Sequence, residues 1–337
     1  MDTKNNSLNN QIAWLCRQSV TTIPCLGNWQ AALGANQYVI SKSFSKDIKE
    51  PVVFIESAFD EDHSDFFLEL QERKKFVMLL ECGGLDMIFD QHSRGAGQDG
   101  QRMAEINAAR MMAIMIWKKG IDLIACFRRS SKHYFQDVLG IDAAYVGMPY
   151  NTTYFQNYEM PQNKRDGVLV LADTKHRGNC LSSFAVMKRL VNSGIKVYGI
   201  INIYKHAKTF LKHFGLSTHS LFNGSDFLPF DDYHKLLGTC VAGVNLTVKR
   251  TFGRMAISGA MVGTPMIGSG DPDAQAVLWP SLTVHDPFNP EETANKIIDK
   301  RWNLDTIQFA KDKMVEEYSV TACTKRLKNV LKTRDQI

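Results

Sequence analysis

Short apolar runs, each closed by turn-forming or acidic residues and each followed by a stretch of helical spacing, recur along this chain and leave few folds open. PVVFIESAF (51–59), KFVMLLECGG (75–84), GIDLIACF (120–127) and AAYVGMP (143–149) read as four strands. DFFLELQER lies between the first two with a helical pattern, and a second helix is expected from Ser130 to Leu139. Buried strands alternating with helices imply parallel βαβ units. The segment before residue 50 is less regular, with VTTIPCLG (20–27) as its candidate strand.

The pattern then stops and restarts. YNTTYFQNYEMPQNKRDG (150–167) is polar, aromatic and turn-forming, without clean periodicity, which marks a linker. Beyond it GVLVLAD (167–173), IKVYGIIN (195–202) and VAGVNLTV (241–248) read as strands, with a short one inside LFNGSDFLPF (221–230). Helices are expected at Cys180–Asn192, DDYHKLLGT (231–239), RMAISGAMV (254–262) and EETANKIIDKRW (291–302). The expected division is 1–155 for a first domain, 166–310 for a second, and 311–337 for a closing helix that packs back on the first. No repeat of solenoid period is present.

Composition agrees with two ordinary cores. The chain has 337 residues, 44% of them hydrophobic and 22% charged, with disorder expected only at MDTKNNSLNNQ and KTRDQI. A net charge of +5 is too small for a dedicated nucleic-acid binder. The basic residues do cluster, at Arg128, Arg129 and Lys132 and again at Lys325, Arg326, Lys328, Lys332 and Arg334. Solvated helix faces account for such clusters; the sharper reading is an anionic partner such as DNA or acidic lipid headgroups. The 7 cysteines form no C-x-x-C pair, which favours free thiols over bridges or zinc sites. Together with the lack of a signal-peptide pattern they point to a reducing cytoplasm. The most apolar stretch, MMAIMIW (111–117), is too short for a membrane span.

Two turns of the second half carry candidate chemistry. GVLVLAD runs straight into TKHRGN, so Lys175, His176 and Arg177 stand at a strand's carboxyl end, and Gly178 permits close backbone approach. A helix N-terminus there offers unpaired N–H groups to a diphosphate, although a solvated polar loop would look similar. The second turn is in TFGRMAISGAMVGTPMIGSG (251–270). Its small residues Gly259, Ala260 and Gly263 are explained by close helix packing alone. Helix packing does not explain Lys249, Arg250, Phe252 and Gly253 at the helix start.

These residues carry a family likeness. VLVLADTKHRGN, then FGRMAISGAMVGTPMIG, then DPFNPEETANKIID follow the order found in the donor domain of nucleotide-sugar glycosyltransferases of the glycosyltransferase-B fold, retaining type. GIDLIACFRRSSKHYFQDVLGIDAAYVGMPYNTTYF resembles the last segment of that family's acceptor domain, so the likeness spans roughly residues 120–300. It implies an α/β chain of two Rossmann-like domains facing a cleft. It further implies a nucleotide-diphosphate sugar as donor, with no tightly bound cofactor. Lys175, Arg177 and Gly178 would hold the diphosphate, with Arg250, Phe252, Gly253 and Ser258 completing the donor site. The family has glutamates where this chain has Arg250 and Ser258, so ribose contact falls to a hydroxyl and a second cation joins the phosphate side.

For the acceptor the first half offers Glu56 and Asp60 after the first long strand, followed by Glu61 and His63, and Glu81 after the next. LDMIFDQHSRGAGQDGQR (85–102) is a long Gly-rich segment holding Asp90, His92 and Arg94. His92 is the preferred base or orienting group for an acceptor hydroxyl, with Glu56, Asp60 and Arg94 around it. Asp60–His63 reads as an acidic helix cap rather than a metal site. The leading reading is a glycosyltransferase acting on a glycan, a small molecule or a modified DNA base. The alternative is a glycosyltransferase-like protein that binds nucleotide or glycan without turnover. A dinucleotide-dependent oxidoreductase is disfavoured because no G-x-G-x-x-G follows a strand.

Overall fold

The computed structural model describes residues 11–16, 29, 32–39, 48–56, 64–80, 120–138, 140–152, 156–173, 179–202, 212, 221–222, 230–248 and 251–336. The chain divides into two compact units, one of Met1–Asn151 with Glu317–Ile337, the other of Thr152–Glu316.

In the first unit, β1 (Ile12–Cys16), β2 (Asn36–Val39), β3 (Val52–Glu56), β4 (Phe76–Leu80), β5 (Leu123–Cys126) and β6 (Ala143–Tyr145) form a parallel sheet in the order β2-β1-β3-β4-β5-β6. Its strands read as unbroken apolar runs because both faces are covered. Leu15, Val53, Ile55, Val77 and Leu79 form one buried cluster. Trp14 meets the ring of Phe54 edge-on at 5.0 Å. The helix α1 spans Ser64–Glu72, as DFFLELQER predicts. α2 (Arg129–His133) continues as a π-helical turn at Tyr134–Val138, so the helix expected from Ser130 to Leu139 changes its winding part-way.

Two strands of this sheet were not legible from pattern. IAWLC directly follows the polar opening and is too short to show alternation, yet Ile12–Leu15 are buried. β2 is an edge strand with exposed Asn36 and Gln37, so it lacks the apolar signal of the others. The candidate VTTIPCLG lies outside the described residues.

Glu50 secures that edge. Asn36 Nδ2 donates to it at 2.5 Å, the Tyr38 hydroxyl at 3.0 Å and the Lys49 N–H at 3.1 Å. Burial pushes its pKa up, and these donors outweigh burial, leaving the carboxyl below its ordinary value. A lowered folded pKa contributes stability above the unfolded value and loses it as pH falls through the folded one. Urea unfolding of the first unit should therefore weaken on acidification in and below the carboxylate range. Glu50→Gln should be less stable at neutral pH and lose that part of the acid dependence.

In the second unit, β7 (Val168–Asp173), β8 (Val197–Asn202), β9 (Leu221–Phe222), β10 (Ala242–Asn245), β11 (Met266–Ser269) and β12 (Thr283–Val284) form a parallel sheet in the order β12-β11-β10-β7-β8-β9. Helices α3 (Cys180–Asn192), α4 (Phe230–Thr239), α5 (Arg254–Val262), α6 (Asp273–Leu278) and α7 (Pro290–Ile298) connect the strands or follow the last. α3 and α5 begin and end where the sequence pattern places them. α8 (Leu304–Tyr318) leads out of the unit, and α9 (Val320–Lys332) belongs to the first. Tyr150 N–H donates to Tyr318 O at 2.7 Å, and Cys323, Leu327 and Leu331 are buried.

The closing KTRDQI corrects the expectation of disorder there. Lys332 ends α9, and Arg334 makes a two-oxygen contact with Asp142 at 2.7 and 2.8 Å.

Candidate functional site

In each sheet the strand order reverses direction at one place, and ligands of such folds sit beyond the carboxyl ends of the strands at that point. In the second unit the reversal is between β7 and β10, which pair from Val168 with Ala242 to Leu171 with Asn245. The segments that follow these two strands are the two turns singled out by sequence. Of the first turn, Lys175, Arg177 and Gly178 lie outside the described residues, as does Arg250 of the second. In the first unit the reversal is between β1 and β3. Glu56 is the last residue of β3, with its side chain outside the described part, and Asp60, His92 and Arg94 lie outside it too.

The start of α5 is fully described. Gly253 is its N-cap, with φ +87° in the left-handed region, and no described side chain caps the first turn. A Cβ at Gly253 would stand 2.9 Å from Ala274 Cβ and 3.1 Å from Pro272 Cβ, so both backbone angle and space call for glycine. Thr251 O accepts from Asp273 N–H at 3.1 Å and Phe252 O from Ala274 N–H at 3.2 Å. These bonds lock the turn entering α5 to the turn leaving β11, at the carboxyl edge. Phe252 is half-buried and Arg254 exposed. The positive end of the α5 dipole lies at this edge, where it favours an anion.

α3 starts differently. Asn179 Oδ1 accepts from Ser182 N–H at 3.3 Å, and its Nδ2 donates to Pro287 O at 2.7 Å. Its side chain ties the start of α3 to the turn before α7. That turn is held in its own right: Glu292 accepts from the His285 and Asp286 N–H groups at 3.1 and 3.3 Å.

Ser258 is buried against a neighbouring helix. It is 1% exposed, and its hydroxyl lies 3.0 Å from Nε2 of buried His234 on α4. The same helix is held by Trp279 Nε1, which donates to Ala256 O at 3.0 Å, while Gln275 Nε2 donates to Met266 O of β11 at 2.9 Å. Thus Phe252 and Gly253 come together at the edge, whereas Ser258 joins α5 to α4. His234 was not legible in the sequence, and neither were Pro272 and Ala274, which fit against Gly253. The turn-forming GDPD (270–273) after β11 was the available signal for Pro272, whereas nothing local marks His234.

At the opposite edge, Arg165 is buried against the end of α5. Its guanidinium donates to Val262 O at 2.9 Å, Gly263 O at 2.7 Å, Thr264 Oγ1 at 2.7 Å and Met160 O at 2.8 Å. A groove of about 640 Å³ lies on this side, lined by Glu159–Gln162 and by α8 residues including Asp305, Ile307 and Lys311. It is distinct from the carboxyl edge, because 159–166 precede β7 and 262–265 precede β11.

No protein-family model and no curated protein sequence matches the chain. Solved structures do match it along nearly its whole length. A glycosyltransferase from Rickettsia africae ESF-5 superposes with TM-score 0.66 at 11% identity, over 97% of this chain and 98% of that one. An E. coli trehalose-6-phosphate protein bound with UDP-2-fluoro glucose gives 0.64 at 9% identity, over 96% and 99%. S. aureus MnaA with UDP gives 0.55 at 10% identity, over 97% of each. The chain has the glycosyltransferase-B fold. At such identities the likeness is one of backbone architecture.

Proposed function

We propose that the protein is a glycosyltransferase that moves a sugar from a nucleotide-diphosphate sugar to a hydroxyl acceptor. The observation that carries this reading is the place and geometry of the start of α5. A helix N-terminus with no side-chain cap among the described residues, entered through a left-handed and tightly packed glycine, stands at the strand reversal of a glycosyltransferase-B fold. Two similar structures are described with UDP-2-fluoro glucose and with UDP, which supports a uridine-type donor as the first to test.

In this reading the diphosphate lies across the β7/β10 edge. Lys175 and Arg177 take up the negative charge that develops on the leaving diphosphate, the largest electrostatic demand of the reaction. Gly178 lets the backbone come close, and Arg250 adds positive charge from the second turn. Phe252 and Gly253 shape the space for the sugar beside the N–H groups of α5. On the acceptor side His92 orients or deprotonates the hydroxyl, with Glu56, Asp60 and Arg94 as its surroundings. Ser258, held by His234, acts by fixing α5 rather than by touching ribose.

That last feature favours a second reading, in which the chain binds a nucleotide sugar without turning it over. Thermal unfolding with UDP, UDP-glucose and other nucleotide sugars, followed by a product assay, separates the two. A ligand at 100 times its Kd should stabilise the binding unit by about 2.7 kcal/mol. Lys175→Ala with Arg177→Ala should abolish both the shift and transfer. A shift with no sugar transfer or donor hydrolysis supports the binding protein, and no shift with any nucleotide or nucleotide sugar overturns the donor reading.

A further inference from the structure

The groove beside the end of α5 is a second place on the second unit where a small molecule fits, and it takes no part in the donor edge. Its volume of about 640 Å³ is in the range of small-ligand sites. Both of its walls are preformed. On one side Met160 O accepts from Arg165 Nε at 2.8 Å, and Gln162 Nε2 donates to Gly263 O at 3.3 Å, which fixes this wall to the end of α5. On the other side α8 starts at a capped turn, where Asn303 Oδ1 accepts from Thr306 N–H at 2.9 Å. Lys311 Nζ of α8 donates to both oxygens of Glu159 at 2.6 Å, joining the two walls.

The lining sets the class of molecule that fits. Lys311 is engaged by Glu159, so it is no free cation for a phosphate. A Cβ at Gly263 would stand 2.7 Å from Glu159 Oε1 and 3.3 Å from Arg165 Nη2, so the same carboxylate also faces the buried guanidinium. Glu159 and Asp305 are thus offset by Lys311 and Arg165, and the groove favours neither an anion nor a cation. Met160, Pro161, Leu304 and Ile307 form its apolar lining. Leu304 is 71% exposed, so packing inside the chain leaves most of its surface unused. Gln162, Asp305 and Gln308 supply the polar groups. One N–H of each carboxamide is bonded within the protein, to Gly263 O and to Asp312 Oδ1, which leaves each a carbonyl and a second N–H.

We propose that this groove binds a short neutral oligosaccharide. Sugar hydroxyls donate and accept, as the carboxamides do, and Asp305 accepts from them. The C–H faces of the rings lie on the apolar residues. A wholly apolar ligand would bury Gln162, Asp305 and Gln308 without partners, and a charged one would enter a site whose charges are already offset. The inference goes beyond the donor reading and does not rest on it.

Methionine labelled with 13C at its methyl group, in the full chain, tests it. The Met160 resonance, identified by its loss in M160L, reports on the groove directly. Titration with maltotriose or cellotriose should move that resonance with a dissociation constant on the order of 1 mM, weak because no aromatic ring stands among the lining residues. D305A/Q308A, which alters exposed positions, should bind roughly thirty-fold more weakly, at about five-fold per lost hydrogen bond. L304S should weaken binding too. Both variants should keep the wild-type unfolding temperature and any UDP-dependent shift, so a loss belongs to the groove. Failure of the donor reading would leave the Met160 titration unchanged. A Met160 resonance unmoved by either trisaccharide, moved equally in D305A/Q308A, or moved only by spermidine or inorganic phosphate would overturn the proposal.

Discussion

Replacing Arg165 with alanine is expected to lower the stability of the second unit by about 3–5 kcal/mol, among the largest single-residue effects this chain should show. The guanidinium is buried and makes four hydrogen bonds, three of them to the Val262–Thr264 segment where α5 ends. Burial lowers its pKa, so holding the charge there costs something, but an arginine remains protonated even so. Alanine would leave the Val262 and Gly263 carbonyls without that donor at the negative end of the helix dipole. Lysine would recover only part of the loss, because a point charge cannot serve carbonyls on several sides at once. Urea unfolding followed in the second unit is the measurement, since two units permit two transitions. A change within about 0.5 kcal/mol, the range of an ordinary surface substitution, would show that the clamp is not a stabilising feature.

Gly253→Ala should be the most damaging small change at the carboxyl edge of the second sheet, at about 2–4 kcal/mol in the second unit, combining left-handed backbone strain with overpacking. The added methyl meets Ala274 Cβ at 2.9 Å and Ala274 N at 3.2 Å, and neither is the flexible end of a long side chain. Relief requires moving the 251–253 turn away from the 272–274 turn, which breaks the Thr251 and Phe252 carbonyl bonds and re-aims the first N–H groups of α5. Any nucleotide-dependent rise in melting temperature should consequently fall further than stability does. Gly140 serves as the control: its φ is +66°, yet a Cβ there meets nothing within 4 Å, so Gly140→Ala carries strain without overlap. If both glycine variants cost the same, the close contact at Gly253 contributes nothing.

Much of the fold was legible because its signals are local. Asn179 before α3 and Gly263 after α5 are capping residues whose preference depends on a few neighbours. β3, β4, β7 and β10 stand out because a strand buried on both faces is a continuous apolar run. The edge strand β2 and the short β1 failed that test, one because half of it meets solvent and the other because five residues are too few to show a period. The candidate site divides in the same manner. Phe252 and Gly253 were recognisable from an adjacent pair of residues, whereas the orientation of Ser258 was not.

Residue order by itself determined the βα alternation, the break near residues 150–167 and the basic and small residues at two strand ends, since each depends on spacing along the backbone. Tertiary structure alone decided that β7 and β10 are neighbours at the reversal of the sheet. It also decided that Ser258 turns to His234, 24 residues away, and that Arg165 reaches Val262, 97 residues away. Strand neighbours are chosen by burying both faces of a sheet at once, and a buried polar group bonds to whatever packing brings within reach. Neither requirement leaves a mark at a fixed sequence distance.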